Sequence, residues 1–276
     1  MLYICATPIG NLNDISLRAI AVLKTATIIL CEDTRHSNIF LKAHNIENKK
    51  LIALHEHNEN EVSLKVIEWL KLNHIIVQIS DAGTPAISDP GARLCNKVLG
   101  AGFKVSPLPG PCAFTALLSV SGVSSPTLFY GFLPHTSSQR KKVLQQWQDS
   151  SFAICCYEAP HRIIECITDI ISILGDSRII VMGREMTKQF ETIKKLTAAQ
   201  LLDFISNDAN QQRGEFALII EPSALRADDL ISAQQTYALE QMLIELPPKK
   251  AVNLNHKLFG GNKDKLYQLA LKYKAN

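Results

Sequence analysis

Charged side chains gather at four places in this 276-residue sequence, each beside a short apolar run. Cys31-Glu32-Asp33-Thr34-Arg35 sets two acids next to a guanidinium. Tyr157-Glu158-Ala159-Pro160-His161-Arg162 repeats the theme, Gly183-Arg184-Glu185-Met186-Thr187-Lys188 is the densest cluster, and Arg213-Gly214-Glu215 is the last. Charged residues massed at strand ends mark a site facing water and a charged ligand. Three stiff turns form a second set: Thr7-Pro8-Ile9-Gly10-Asn11, Ser80 to Gly91, and Pro109-Gly110-Pro111-Cys112-Ala113. Gly and Pro fix unusual backbone angles there, and Asp, Ser and Thr cap the turns. Such turns offer backbone N–H and C=O groups, which suits a neutral or zwitterionic ligand.

Other chemistries lack their residues. No GxxxxGK[ST] cradle supports a kinase or ATPase, and no GxGxxG follows the first apolar run. There is no GxSxG elbow and no HExxH pair. His55 and His57 lie two apart, but no third ligand is placed near them, so no metal is expected. The seven cysteines form no CxxC pair, which indicates reduced thiols. The opening residues, Met1-Leu-Tyr-Ile-Cys-Ala, carry no basic leader segment, and no apolar run approaches a membrane span. A cytoplasmic globular protein is the expectation. The net charge of +3 is uneven. Lysines 249, 250, 257, 263, 265, 272 and 274 face only Glu245 and Asp264 in the last 36 residues, a basic tail that hints at a polyanionic partner.

The elements that must hold these groups follow from hydrophobic periodicity. Apolar runs at 2–6, 27–31, 51–54, 75–79 and 103–106 read as strands, separated by helical patterns of ten or so residues. That alternation implies βαβ units and a parallel sheet, so residues 1–121 read as one α/β domain. In a parallel sheet all three stiff turns fall on the carboxyl edge, where open α/β folds bind ligands. Strands at 127–132, 152–157, 178–183 and 215–221, with helices between them, make residues 122–225 a second α/β domain. Residues 230–276 read as a small basic helical module, broken at Pro247-Pro248 and at Gly260-Gly261-Asn262.

Taken together and in order, eight stretches resemble one family. They are Ala6-Thr-Pro-Ile-Gly-Asn-Leu, Glu32-Asp-Thr-Arg, Ser80-Asp-Ala-Gly-Thr-Pro-Ala-Ile-Ser-Asp-Pro-Gly, Pro109-Gly-Pro-Cys-Ala, Phe129-Tyr-Gly-Phe-Leu-Pro, Tyr157-Glu-Ala-Pro-His-Arg, Gly183-Arg-Glu-Met-Thr-Lys and Arg213-Gly-Glu-Phe. They resemble the bacterial small-subunit rRNA cytidine-2′-O-methyltransferases, within the tetrapyrrole-methylase superfamily. The tail resembles that family's helix-turn-helix-like C-terminal segment.

The resemblance implies a two-domain, class III α/β methyltransferase, usually homodimeric, that binds S-adenosylmethionine between its domains and methylates 16S rRNA of the 30S subunit. By motif, it implies cofactor contacts at Ile9, Ala82, Gly83, Ile87, Cys112, Ala113, Tyr157 and Ala217. Many relatives carry Ser or Thr where Cys112 stands; a thiol bonds weakly, so a backbone contact is expected there. Catalytic roles fall to Glu32, Asp33, Arg35, Glu185 and Lys188, with an acid as base and Lys188 or Arg35 lowering the hydroxyl pKa. Arg162, Arg184 and Arg213 suit phosphate oxygens. Asp81 and Asp89 read as turn-builders. The rival readings are carbon methylation of a tetrapyrrole and a non-catalytic RNA-binding or assembly protein.

Overall fold

The computed structural model describes residues 1–223 and 231–275. Five four-residue strands build the first sheet: β1 (Leu2–Cys5), β2 (Ile28–Cys31), β3 (Lys50–Ala53), β4 (Ile76–Ile79) and β5 (Val105–Leu108). Their order is β3-β2-β4-β1-β5, and every pair is parallel. Helices α1 (Leu17–Thr25), α2 (Thr34–Ala43), α3 (Glu59–Lys71) and α4 (Ala92–Gly100) supply the crossovers. Strand β2 is buried along its whole length because its alternate residues serve two cores. Ile29 and Cys31 join Ala19, Leu23 and Leu41 on one face, while Ile28 and Leu30 join Val62, Val66 and Leu94 on the other. A period of two across a doubly covered sheet gives the continuous apolar runs seen in the sequence.

The second sheet holds β6 (Thr127–Phe132), β7 (Ala153–Glu158), β8 (Ile179–Arg184), β9 (Thr192–Thr197) and β10 (Phe216–Ile220) in the order β6-β7-β10-β8-β9. Only β6 and β7 run parallel; β10 is antiparallel to both neighbours, and β9 is antiparallel to β8. Strand β9, Thr-Ile-Lys-Lys-Leu-Thr, was not among the strands expected from sequence. It is an edge strand whose two lysines interrupt the apolar pattern, as edges commonly do.

The two faces of this sheet have different cover. Helices α6 (Ser137–Gln145), α7 (Ile163–Leu174) and α8 (Ala198–Asn207) close one side over Ile154, Met182 and Leu218. The other side, with Cys155, Val181 and Ala217, is covered by Leu117, Phe114 and Leu118 of α5 (Ala113–Val120). A helix contiguous with the first domain in sequence thus packs on the second sheet.

Three helices, α9 (Ala233–Glu245), α10 (Pro248–Phe259) and α11 (Lys263–Ala275), form the last module around Leu239, Ala251, Val252, Leu266 and Ala270. Buried Asn255 donates to Gln235 O, and Gln235 Nε2 donates to Gly260 O, which pins the helices together. The expected edges at 225 and 230 fall in residues 224–230, outside the described residues. No helix among the described residues is long and apolar enough to cross a membrane.

Candidate active site

The three stiff turns are fastened to one another. Thr7 and Gly83 exchange backbone hydrogen bonds of 2.8 and 3.0 Å, and Thr7 Oγ1 donates to Ser80 O at 2.9 Å. Thr84 Oγ1 donates to Pro111 O at 2.9 Å, bringing in the third turn. The longest turn holds left-handed backbone at Gly83, Ala86 and Ser88. Its end is fixed from below: buried Glu59 on α3 accepts from Gly91 N and Leu94 N, both at 3.0 Å, and so caps α4. Gln78 Nε2 donates to Pro90 O at 2.6 Å. Left-handed non-glycine residues persist only where surroundings over-determine them, and here the turns do that for each other.

Opposite stands the edge of the second sheet. Because β10 is antiparallel to β7 and β8, its first residue Phe216 pairs with their last residues, Glu158 and Arg184. That arrangement brings Arg213–Glu215 to the same edge as the two other clusters of the second domain. Tyr157 closes the gap between the units, its hydroxyl oxygen accepting from Phe114 N at 2.9 Å. Burial pushes that hydroxyl well above its ordinary pKa.

Between the turns and this edge lies a cavity of about 390 Å³, and all eight residues expected to hold the cofactor line it: Ile9, Ala82, Gly83, Ile87, Cys112, Ala113, Tyr157 and Ala217. Among the described residues its charged lining is acidic throughout, with Asp81, Asp89, Glu158 and Glu215 and no Lys, Arg or His. Such a wall repels phosphate and favours a cation. Burial, opposed by a Ser80 hydrogen bond and helped by the charges of Glu32 and Asp81, raises the Asp89 carboxyl to about 6. The two aspartates read from sequence as turn-builders therefore face the cavity.

A second cavity of about 320 Å³ adjoins the first and shares Ile9, Asp81, Ala82 and Glu215 with it. Pro8, Leu12, His36, Ser37, Phe40 and Lys188 are among its other walls. Lys188 Nζ bonds Glu185 Oε1 and Glu215 Oε2, both at 2.8 Å. Glu185 Oε1 also accepts from Glu215 N at 2.9 Å. Partial burial opposes the charge on Lys188, but its two carboxylate partners outweigh it and raise the ammonium pKa. Burial likewise works against ionised Glu185, and Lys188 and the Glu215 N–H more than compensate, holding it below the usual range. Glu215, unassigned from sequence, is with Asp81 one of two acids shared by both cavities, and it is the one bonded to Lys188; its only sequence signal was its place in Arg213-Gly-Glu.

Glu32, Asp33 and Arg35 line neither cavity. Asp33 caps α2, and Arg35 donates to both its carboxylate oxygens at 3.2 and 2.9 Å on the surface. The Arg35 hydrogen bonds hold the Asp33 carboxyl at about 2. Burial, then the charge of Asp81, raises the Glu32 carboxyl. The structure thus places this trio, expected from sequence to be catalytic, outside the walls of the two cavities. Two of the expected phosphate ligands are buried. Arg184 is 6% exposed, and it donates to the carbonyls of Arg213, Asn210 and Phe190, at 2.7, 2.6 and 3.1 Å. Arg162 is 8% exposed and is tied to Glu158 and His135. Both guanidiniums lie buried inside the second domain, and of the three only Arg213 is exposed.

The comparisons with known proteins agree with this architecture. Residues 1–202 match the family described as Tetrapyrrole (Corrin/Porphyrin) Methylases. The chain belongs to that family. Residues 229–274 match a second family, the RsmI C-terminal HTH domain. Curated relatives named ribosomal RNA small subunit methyltransferase I include that of Neisseria meningitidis serogroup B, 41% identical over 99% of this chain and 94% of its own. That of Haemophilus influenzae is 43% identical over 98% and 96%, respectively. Among solved structures, the methyltransferase CobJ superposes with a TM-score of 0.60 at 16% identity, over 82% of this chain and 95% of its own. Uroporphyrin-III-C-methyltransferase from Thermus thermophilus gives 0.56 at 12%, over 80% and 93%. These tetrapyrrole methylase structures share the fold of this family member.

Proposed function

We propose that the chain transfers a methyl group from S-adenosylmethionine to a cytidine ribose 2′-OH in 16S rRNA of the small ribosomal subunit, acting in the cytoplasm as a homodimer. The observation that carries the reading is the pair of joined cavities. One is acidic, which favours a sulfonium and an amine, while its stiff turns offer backbone groups to a carboxylate; the other holds an ammonium flanked by carboxylates. The near-full-length relatives named as rRNA methyltransferases support the choice of acceptor. A cavity of about 320 Å³, at the low end of the ~300–1,000 Å³ usual for small-ligand sites, suits a nucleoside better than a macrocycle.

S-adenosylmethionine supplies an electrophilic methyl carbon. Transfer forms a C–O bond as the C–S bond breaks, leaves a neutral sulfide, and requires the hydroxyl to lose its proton. Of the two acids that reach both cavities, Asp81 and Glu215, the one bonded to Lys188, Glu215, takes that proton. Lys188 stays charged and lowers the hydroxyl pKa by donating to the forming alkoxide. Glu185 is a positioning residue, since its Oε1 is engaged by Lys188 and by Glu215 N. Alignment of the reacting atoms by these walls can supply roughly 7–11 kcal/mol of the barrier.

The test is Lys188→Ala, assayed by tritium transfer to small-subunit particles and by calorimetric S-adenosylmethionine titration. Transfer should be lost while affinity stays near wild type. If affinity falls as far as the rate, Lys188 holds the cofactor and the catalytic assignment fails.

A further inference from the structure

The loop that carries Lys188 also carries an aromatic ring with no part in the chemistry above. Phe190 lies two residues beyond Lys188, and it is 68% exposed. Two residues of chain span at most ~7 Å, so the ring stands at the rim of the second cavity, whose wall includes Lys188. A single exposed apolar side chain is ordinary on a protein surface. This one is held in place from several sides. Buried Arg184 donates from Nη1 to Phe190 O at 3.1 Å and from Nε to Arg213 O at 2.7 Å, so one guanidinium sets Phe190 beside exposed Arg213. Glu191 N donates to Lys188 O at 3.1 Å, and Thr187 N donates to Glu191 Oε2 at 2.7 Å. Asn11 N donates to Thr187 Oγ1 at 3.1 Å, which ties the loop to the first domain.

An anchored ring beside a cation is how proteins hold single-stranded nucleic acid: the ring takes the face of a base and the cation a phosphate. Gln189 and Glu191 on either side of Phe190 are polar and exposed, so the ring presents one aromatic face between polar side chains. The acids nearby are engaged, Glu191 with Thr187 N, Glu215 with Lys188 and Asp208 with Asn210 N, which leaves the charge of Arg213 beside the ring for a phosphate. From these observations we propose that Phe190 is a stacking platform for the base of a nucleotide adjoining the acceptor in the RNA strand, with Arg213 on that nucleotide's phosphate. The inference rests on the rRNA methyltransferase reading above and adds a residue that positions its acceptor. A neighbouring base held on Phe190 fixes the strand on one side of the ribose that must line up at Lys188 and Glu215.

The experiment sets Phe190→Ala, Phe190→Leu and Phe190→Tyr against wild type in the full chain. The ring is exposed, so all three should melt close to the wild-type temperature and bind S-adenosylmethionine within about twofold. On small-subunit particles, KM should rise about 5- to 100-fold in Phe190→Ala, the worth of one base stacked on an aromatic side chain. Phe190→Leu keeps the apolar bulk and loses the π face, so its KM should rise nearly as far, whereas Phe190→Tyr should return it close to wild type. Particles reconstituted with an abasic residue on one side of the acceptor, or on the other, identify the neighbour. One of the two should slow wild type by a similar factor and add nothing to Phe190→Ala. A wild-type KM in Phe190→Leu, or losses that add to Phe190→Ala on both abasic particles, would overturn the assignment while leaving the enzyme a methyltransferase. A lower sedimentation mass in Phe190→Ala would do the same, by placing the ring between two copies of the chain. Absence of any S-adenosylmethionine-dependent transfer by wild type on intact particles would instead sink the underlying reading and the inference with it.

Discussion

Gly10 is where the first turn meets the Lys188 loop, and Gly10→Ala tests whether that contact sets the catalytic geometry. A methyl group built on Gly10 would lie 2.4 Å from Lys188 Cγ, 2.7 Å from Thr187 Oγ1 and 3.0 Å from Met186 O. Ordinary contact begins near 3.4 Å, so Lys188 must retreat by roughly 1 Å. Gly10 is not among the positive-φ residues, so alanine suffers no backbone penalty and the whole effect comes from the contact. The retreat strains the 2.8 Å bonds from Lys188 Nζ to Glu185 and Glu215, and the Thr187 Oγ1 that accepts from Asn11 N at 3.1 Å moves with it. Overpacking of this kind costs about 1–3 kcal/mol of stability. A displacement of about 1 Å in a catalytic group costs on the order of 100-fold in rate. The assay is kcat for methyl transfer alongside thermal melting. Gly100→Ala, at the end of α4 with nothing within 4 Å, is the control and should be neutral or slightly stabilising. A wild-type kcat in Gly10→Ala, with the expected loss of stability, would refute the idea that this contact positions Lys188.

Three further outcomes are expected. The Asp89 carboxyl, raised to about 6, is ionised above that pH and protonated below it. A cation in the first cavity favours the ionised form and lowers its pKa by about 2 units, so S-adenosylmethionine affinity should be full near pH 8 and about tenfold weaker near pH 5. Calorimetry across that range checks this, and Asp89→Asn should flatten the profile; a wild-type profile already flat would remove Asp89 from the site. Arg184→Ala should destabilise the fold by about 3 kcal/mol or more, because several carbonyls lose their donor; an unchanged melting temperature with weakened RNA binding would restore the phosphate role. Removing residues 230–276 should flatten the salt dependence of RNA binding by about 0.7 in log–log slope per lost phosphate contact, and an unaltered slope would make the basic module a structural element.

The first sheet and the turns were legible because their causes are local. Apolar runs such as Ile76-Val-Gln-Ile are buried on both faces and separated by helix-length segments, so a parallel sheet follows, and Gly83, Pro85 and Pro111 fix their turns by covalent geometry. All eight residues expected to hold the cofactor sat in those turns or in motif-bearing strands. The proposed catalytic cluster was half legible. Lys188 and Glu185 stood out by charge density, but the antiparallel placement of β10 that brings Glu215 to them is a long-range pairing that no local pattern encodes. Burial decided the rest. Arg162 and Arg184 read like Arg213 in sequence, yet they ended buried inside the second domain, whereas Asp81 and Asp89 ended on the cavity wall. A sequence states which groups carry charge. Only the packed chain states which of them are neutralised by a partner and which are left for a ligand, because that depends on distances across elements far apart in the chain.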